Sequence, residues 1–174
     1  MYRYKQINLN REDLVKDLNR AVKETANDLT VNFGELEPIY WLDGEIPVIN
    51  SSAIAEHYNI QFAALATFTD GSVVIITDIL FNKYLSEDEQ DAILAHELGH
   101  HEYKKIGINK NSMSSLEWEL LADKFAVEMY GHERVLDALY KTAKISQMIY
   151  GNRINMSEMK ERLVEIQMDK IKNK

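Results

Sequence analysis

No cysteine occurs in the 174 residues of the chain. Disulfide scaffolding, thiol catalysis and cysteine-ligated metal are therefore excluded, and any metal site has to be built from histidine and carboxylate. The lack of thiols also fits a reducing compartment. The start, Met1-Tyr2-Arg3-Tyr4-Lys5-Gln6, has no apolar leader core, and no run of about 18 apolar residues occurs anywhere. These absences predict a soluble, unexported, cytoplasmic protein that spans no membrane. Basic residues are outnumbered by acidic ones, 20 to 28, for a net charge of −8. Binding to nucleic acid or to an anionic membrane is not expected from that balance. Internal repeats, low-complexity runs and a dividing linker are missing as well. With 45% hydrophobic and 28% charged residues, the length predicts one domain over 1–174 with a real core.

The pattern changes character along the chain. After a short polar start, residues 10–29 carry Leu14, Leu18, Val22 and Leu29 at helical spacing behind an Asn10 cap. Gly34 and Pro38 mark a loop. Runs at 39–42 and 46–49 read as short strands around Asp43-Gly44, with Pro47 expected to restrict the second to an edge or a bulge. A short helix over 51–58 includes His57, which alone carries no ligand assignment. Strands at 62–68 and 72–79 flank Asp70-Gly71, and Val73-Val74-Ile75-Ile76 is apolar throughout, as in a strand covered on both faces. A short helix or turn follows at 80–85. Beyond it the chain is helical, over 87–105, 114–130, 132–150 and 157–172, with Gly131 as a stop. The domain therefore divides into an N-terminal helix and sheet (1–85) and a helical part (86–174).

Chemistry is concentrated in Ala95-His96-Glu97-Leu98-Gly99-His100-His101. The preceding Ser86-Glu87-Asp88-Glu89 is a capping box that opens a helix. On that helix His96 and His100 are four apart and present two imidazoles to one point. Glu97, rotated by about 100° from His96, flanks the same point. Two imidazoles suit one Zn²⁺, and a carboxylate beside them can take a proton from a water on the metal. His101 lies about 140° from His96 and is expected to pack or to support a ligand rather than to bind. Gly99 weakens a helix, and its presence suggests a close approach by another backbone.

Catalytic zinc usually takes a third protein ligand. Glu119 and Asp123 share one face of the next helix, beside an apolar stripe of Trp118, Leu121, Ala122, Phe125 and Met129. Glu119 is the expected ligand, with Asp123 hydrogen-bonding a ligand imidazole. Glu117 is the rival; it is rotated by about 200° from Glu119, so both cannot face the metal.

With these residues assembled, the chain resembles a zincin metallopeptidase of the gluzincin type. The closer likeness is to the CAAX prenyl protease and HtpX-like family, in which a strand, a short helix, HExxH and ExxxD follow in that order. The likeness covers residues 62–131, and the family's membrane helices are absent. Arg162-Leu163 resembles the family's closing segment, although the usual His-Pro before it is missing. HELGHH-like sequences also occur in small soluble zincins that cleave phage repressors, so a phage or bacterial accessory peptidase is an equal reading.

The resemblance implies an α+β zincin-like fold, with a small, mostly antiparallel sheet packed on the active-site helix and a helical C-terminal half. It implies a zinc-dependent endopeptidase acting on a peptide or protein substrate, with Glu97 as the base. Substrate would lie along an edge strand, for which Ser72, Val73, Val74, Ile75, Ile76 and Thr77 are the candidates. The alternative is a non-enzymatic zincin-fold regulator, sensor or virion component. Mn²⁺ or Fe²⁺ in a two-His, one-carboxylate site is a further option.

Overall fold

A computed structural model describes residues 3–6, 40–42, 46–67, 73–151 and 156–173. The helix expected over residues 10–29, the loop at Gly34 and Pro38 and both Asp-Gly turns lie outside the described residues. The chain separates into two compact units, Met1–Tyr84 and Leu85–Lys174. The fold class is α+β, as the resemblance implied.

The first unit is built on a five-stranded mixed sheet. Its strands are β1 (Arg3–Gln6), β2 (Tyr40–Leu42), β3 (Ile46–Asn50), β4 (Ala63–Thr67) and β5 (Val73–Thr77), in the spatial order β1-β2-β3-β5-β4. Three neighbouring pairs are antiparallel, and β3 with β5 is parallel. Helix α1 (Ser52–His57) follows β3, and α2 (Ile79–Tyr84) follows β5. Ile46, Val48, Ile49, Val74, Ile75, Ile76, Phe62 and Phe81 are buried.

Strand β1 was not expected. Four residues are too few to show a period, and its partner β2 lies more than thirty residues on. Pro47 sits in β3, an interior strand, yet the parallel ladder to β5 begins only at Val48↔Ile75. The missing N–H of Pro47 thus falls beside the end of that ladder, where an interior strand tolerates it.

One assignment is corrected. The strand expected to offer a substrate-binding edge, Val73–Thr77, lies inside the sheet: all five residues pair with β4, and Ile75, Ile76 and Thr77 pair with β3 as well. In Ile75, Ile76 and Thr77 the backbone is thus engaged in a ladder on each side, and Ser72 lies outside the described residues. Among the described strands the outer position on that side belongs to β4.

Where the parallel strands end, Asp78 binds the chain together. Its carboxylate accepts the N–H of Phe62 at 2.9 Å and of Phe81 at 3.0 Å. Phe62 has a φ of +63°, a conformation that bulky residues avoid. The Asp78 N–H also donates to the Phe62 carbonyl at 3.0 Å, so Phe62 is held from both of its peptide groups.

The second unit is helical: α3 (Glu87–Lys105), a 3₁₀ turn (Lys110–Ser112), α4 (Ser115–Tyr130), α5 (His132–Tyr150) and α6 (Ser157–Lys172). Both helices that carry the motifs open with capping boxes. Ser86 Oγ accepts the Glu89 N–H at 3.2 Å, and Glu89 returns a carboxylate oxygen to the Ser86 N–H at 2.8 Å. Ser114 and Glu117 do the same for α4, at 3.1 and 3.0 Å. Leu94, Ala95, Leu98, Ala122, Ala126, Val135, Leu139 and Ile166 are buried, forming the core of this unit. Arg134 ties α5 to α3 through Asp88 and the buried Asp91, at 2.9 and 3.1 Å.

The approach of α3 to α4 is decided at Gly99. A Cβ placed there would stand 2.9 Å from the Cβ of Phe125 and 3.1 Å from the Cα of Ala122. The glycine loses helix propensity of about 1 kcal/mol and in return lets the two backbones meet, as its place in the motif suggested.

Candidate metal centre

Helix α3 is buried along Asp91–His100, so its histidines have to find partners inside the protein. The four-residue spacing brings the rings together: the imidazoles of His96 and His100 meet edge to face, with centroids 4.7 Å apart. Contact at Gly99 and Ala122 brings α4 alongside, and Glu119 reaches both rings. One of its oxygens lies 2.8 Å from His96 Nε2 and the other 3.5 Å from His100 Nε2. One ligand atom from each of the three residues lies within 4.8 Å of the other two.

That spacing can be set against the ion it would hold. Zinc donors at about 2.0–2.2 Å stand about 3.3–3.6 Å apart in a tetrahedron. The 3.5 Å separation falls in this range and the 2.8 Å one, a direct contact in the metal-free centre, is shorter; two imidazoles with one carboxylate are donors zinc accepts. The formal charge agrees. Glu97, Glu119 and Asp123 contribute −3 against +1 from Arg162, leaving −2 around two imidazoles. A divalent cation balances that sum. The residues fit the metal.

Asp123 stands behind His96, as expected from its place in the motif. It is 1% exposed, and its Oδ1 lies 2.8 Å from His96 Nδ1. This bond fixes the proton on Nδ1 and leaves Nε2 to face Glu119 and the ion. Glu117, the rival to Glu119, is engaged in the capping box of α4 and does not join the cluster. Glu97 is buried at 8% exposure and close enough to Arg162 to help stabilise its charge. His101 lies partly buried on α3, outside the group of three.

The residue without an assigned role is Arg162. From α6 it grips Asp123 with two bonds of 2.8 Å, one from Nε and one from a terminal nitrogen, and its other terminal nitrogen lies 3.7 Å from Glu119. Its likeness to a family closing segment was the only signal in the sequence. Nothing local to residue 162 shows that it meets Asp123, 39 positions earlier.

These contacts set the protonation of the centre. Burial disfavours a charged His96, but the hydrogen bonds to Asp123 and Glu119 outweigh it and hold the imidazole up at about 9. Burial likewise opposes ionisation of Glu119, yet the two histidines keep it well below the usual carboxylate range. Asp123 is lowered too, with Arg162 and His96 overcoming its burial. In metal-free protein, therefore, His96 carries a proton where the cation would otherwise balance the charge.

A raised histidine contributes stability that is fully present below its unfolded value near 6.5 and is lost as pH rises through 9. Metal-free protein is expected to lose up to about 3 kcal/mol of unfolding free energy between pH 6.5 and pH 9. Urea titrations of chelator-treated protein across that window measure this. Zinc-loaded protein should show a flatter profile, and a flat profile without metal would contradict a protonated His96.

Among the described residues, no helix is long and apolar enough to cross a membrane. No curated protein and no solved structure matches the chain. A family model does, over a stretch that runs from β3 to the first turn of α4 and includes His96, Glu97 and His100, while Glu119, Asp123 and Arg162 lie beyond it. That model is peptidase family M48, matched by residues 48–116, and in this segment the chain is similar to the zincin-type metallopeptidases of the CAAX protease and HtpX-like kind.

Proposed function

We propose that the protein is a zinc-dependent endopeptidase whose centre is His96, His100 and Glu119 and whose general base is Glu97. The observation that carries this reading is the convergence of the two motif histidines with Glu119, a residue on a different helix. Zinc bound there supplies Lewis acidity, acidifying a water and polarising the scissile carbonyl. The chain's own residues do the rest. Glu97 takes the proton of the attacking water and passes it to the leaving amine. Asp123 keeps His96 in the tautomer that offers Nε2. Arg162 keeps Asp123 ionised and in place. Burial of the cluster limits competing solvent, which strengthens each of these electrostatic contacts.

The substrate is a peptide or an unfolded protein segment, and zinc is favoured over Mn²⁺ or Fe²⁺ by the carboxylate base next to the first histidine. The test is cleavage of a denatured protein or a peptide library by purified protein. Activity should vanish with a zinc chelator and return with about one equivalent of zinc. Tight zinc binding with no cleavage of any library member would favour a regulator or a structural part of an assembly instead.

A further inference from the structure

The two ligand histidines are held by different means. His96 has the usual arrangement, its second nitrogen bonded to a carboxylate. His100 does not: its Nδ1 is buried and has no hydrogen-bond partner among the described residues. Something else has to keep this ring from rotating about its Cβ–Cγ bond, because a rotated ring would swing Nε2 away from Glu119.

The indole of Trp118 lies flat against it. The ring centroids are 5.0 Å apart and the planes are inclined by 20°. Both residues are buried, at 6% and 8% exposure. Trp118 also directly precedes Glu119, so one turn of α4 delivers both the carboxylate and the flat surface behind the second imidazole.

We propose that Trp118 is a positioning residue of the metal centre, and that its stacked indole performs for His100 the orienting task that Asp123 performs for His96. This rests on the reading of His96, His100 and Glu119 as zinc ligands. Tilting the His100 ring out of its plane would break the stack, so the indole fixes the plane in which Nε2 reaches Glu119. An imidazole bound to a cation is electron-poor, and the face of an indole is the aromatic surface that most favours such a partner. The stack therefore strengthens when the metal arrives, which a hydrophobic filler of equal size would not do.

Zinc affinity, measured by competition with a chromophoric chelator, separates this role from plain core packing. Trp118→Leu is expected to lose about 10-fold or more in affinity, the lower end of what losing an orienting partner costs. Trp118→Phe, which keeps a ring, should stay within about three-fold of the original protein. Trp118→Met fills the space without a ring and replaces the leucine variant should that one not fold. Leu139→Ala, a core truncation on α5, a helix that carries none of the three ligands, controls for general loosening and should leave affinity unchanged. Equal affinity in the Trp118→Leu or Trp118→Met protein would overturn the inference while leaving the zinc centre standing. So would a matching loss in Leu139→Ala. Failure of the original protein to bind zinc at all would instead remove the centre, and this inference with it.

Discussion

Glu97→Gln is expected to keep zinc and to lose peptide cleavage by about three orders of magnitude, within the range a positioned acid–base group supplies. The substitution preserves shape and hydrogen-bonding reach but removes the only property the reaction needs there, an oxygen that can accept and return a proton. Two features of the site make the outcome readable. Glu97 is not among the three residues whose ligand atoms converge, so zinc affinity should change little. It also lies near Arg162, so the neutral amide leaves that guanidinium with Asp123 and Glu119 as its remaining counter-charges. Turnover of a cleaved peptide and chelator competition, measured on the same preparation, give both numbers. Undiminished cleavage would remove Glu97 from the chemistry; joint loss of zinc and cleavage would make it a holder of the metal.

Arg162→Met should destabilise metal-free protein by about 3–5 kcal/mol, the usual consequence of leaving a buried charge without its partner. The guanidinium makes two bonds of 2.8 Å to Asp123, which is 1% exposed. Methionine fills much of the volume and carries no charge, so packing loss contributes little. With Arg162 gone, the Asp123 carboxylate keeps only its bond to His96, and the oxygen that faced Nε is stranded away from water. Zinc affinity should fall as well, by about 10- to 100-fold, because Asp123 orients His96. Urea midpoints of the original protein, Arg162→Met, Asp123→Asn and the double variant complete a cycle, in which the double change costs well under the sum of the single ones. A loss below about 1 kcal/mol in Arg162→Met would mean that the pair is not the anchor its geometry indicates.

What could be read in advance depended on the distance over which each feature is encoded. The first ligand helix announced itself locally: Ser86 with Glu89 closes a ring of hydrogen bonds within four residues, and histidines four apart face one way on any helix, whereas the same ring at Ser114 and Glu117 went unread. Rotation showed only that Glu117 and Glu119 could not both face the metal, and the structure adds the reason for the choice, since Glu117 is occupied at the helix start. Arg162 was beyond such reasoning. Its partner is chosen by the packing of α6 against α4, and no spacing rule connects positions 123 and 162.

The assignment of the strand Val73–Thr77 as an edge failed for a related cause. An apolar run such as Val73-Val74-Ile75-Ile76 reports that both faces of a strand are covered. It carries no information about its two sides, which depend on the neighbours the strand acquires. The parallel partner here is β3, which enters the sheet 27 positions earlier by the register Val48↔Ile75. Sequential adjacency suggested the hairpin with β4 and could not suggest that second neighbour.

The contact at Gly99 has a consequence for how the centre can change. Backbone presses on backbone between two histidine-bearing turns of one helix and the glutamate-bearing helix opposite, so no compressible side chain separates the two. Metal selectivity in this scaffold is therefore tuned by what the donors are, since the width of their bite is set by main-chain atoms. A larger ion has to be met by swivelling rings, and lineages or designers seeking one would begin at the ring supports before prying the helices apart.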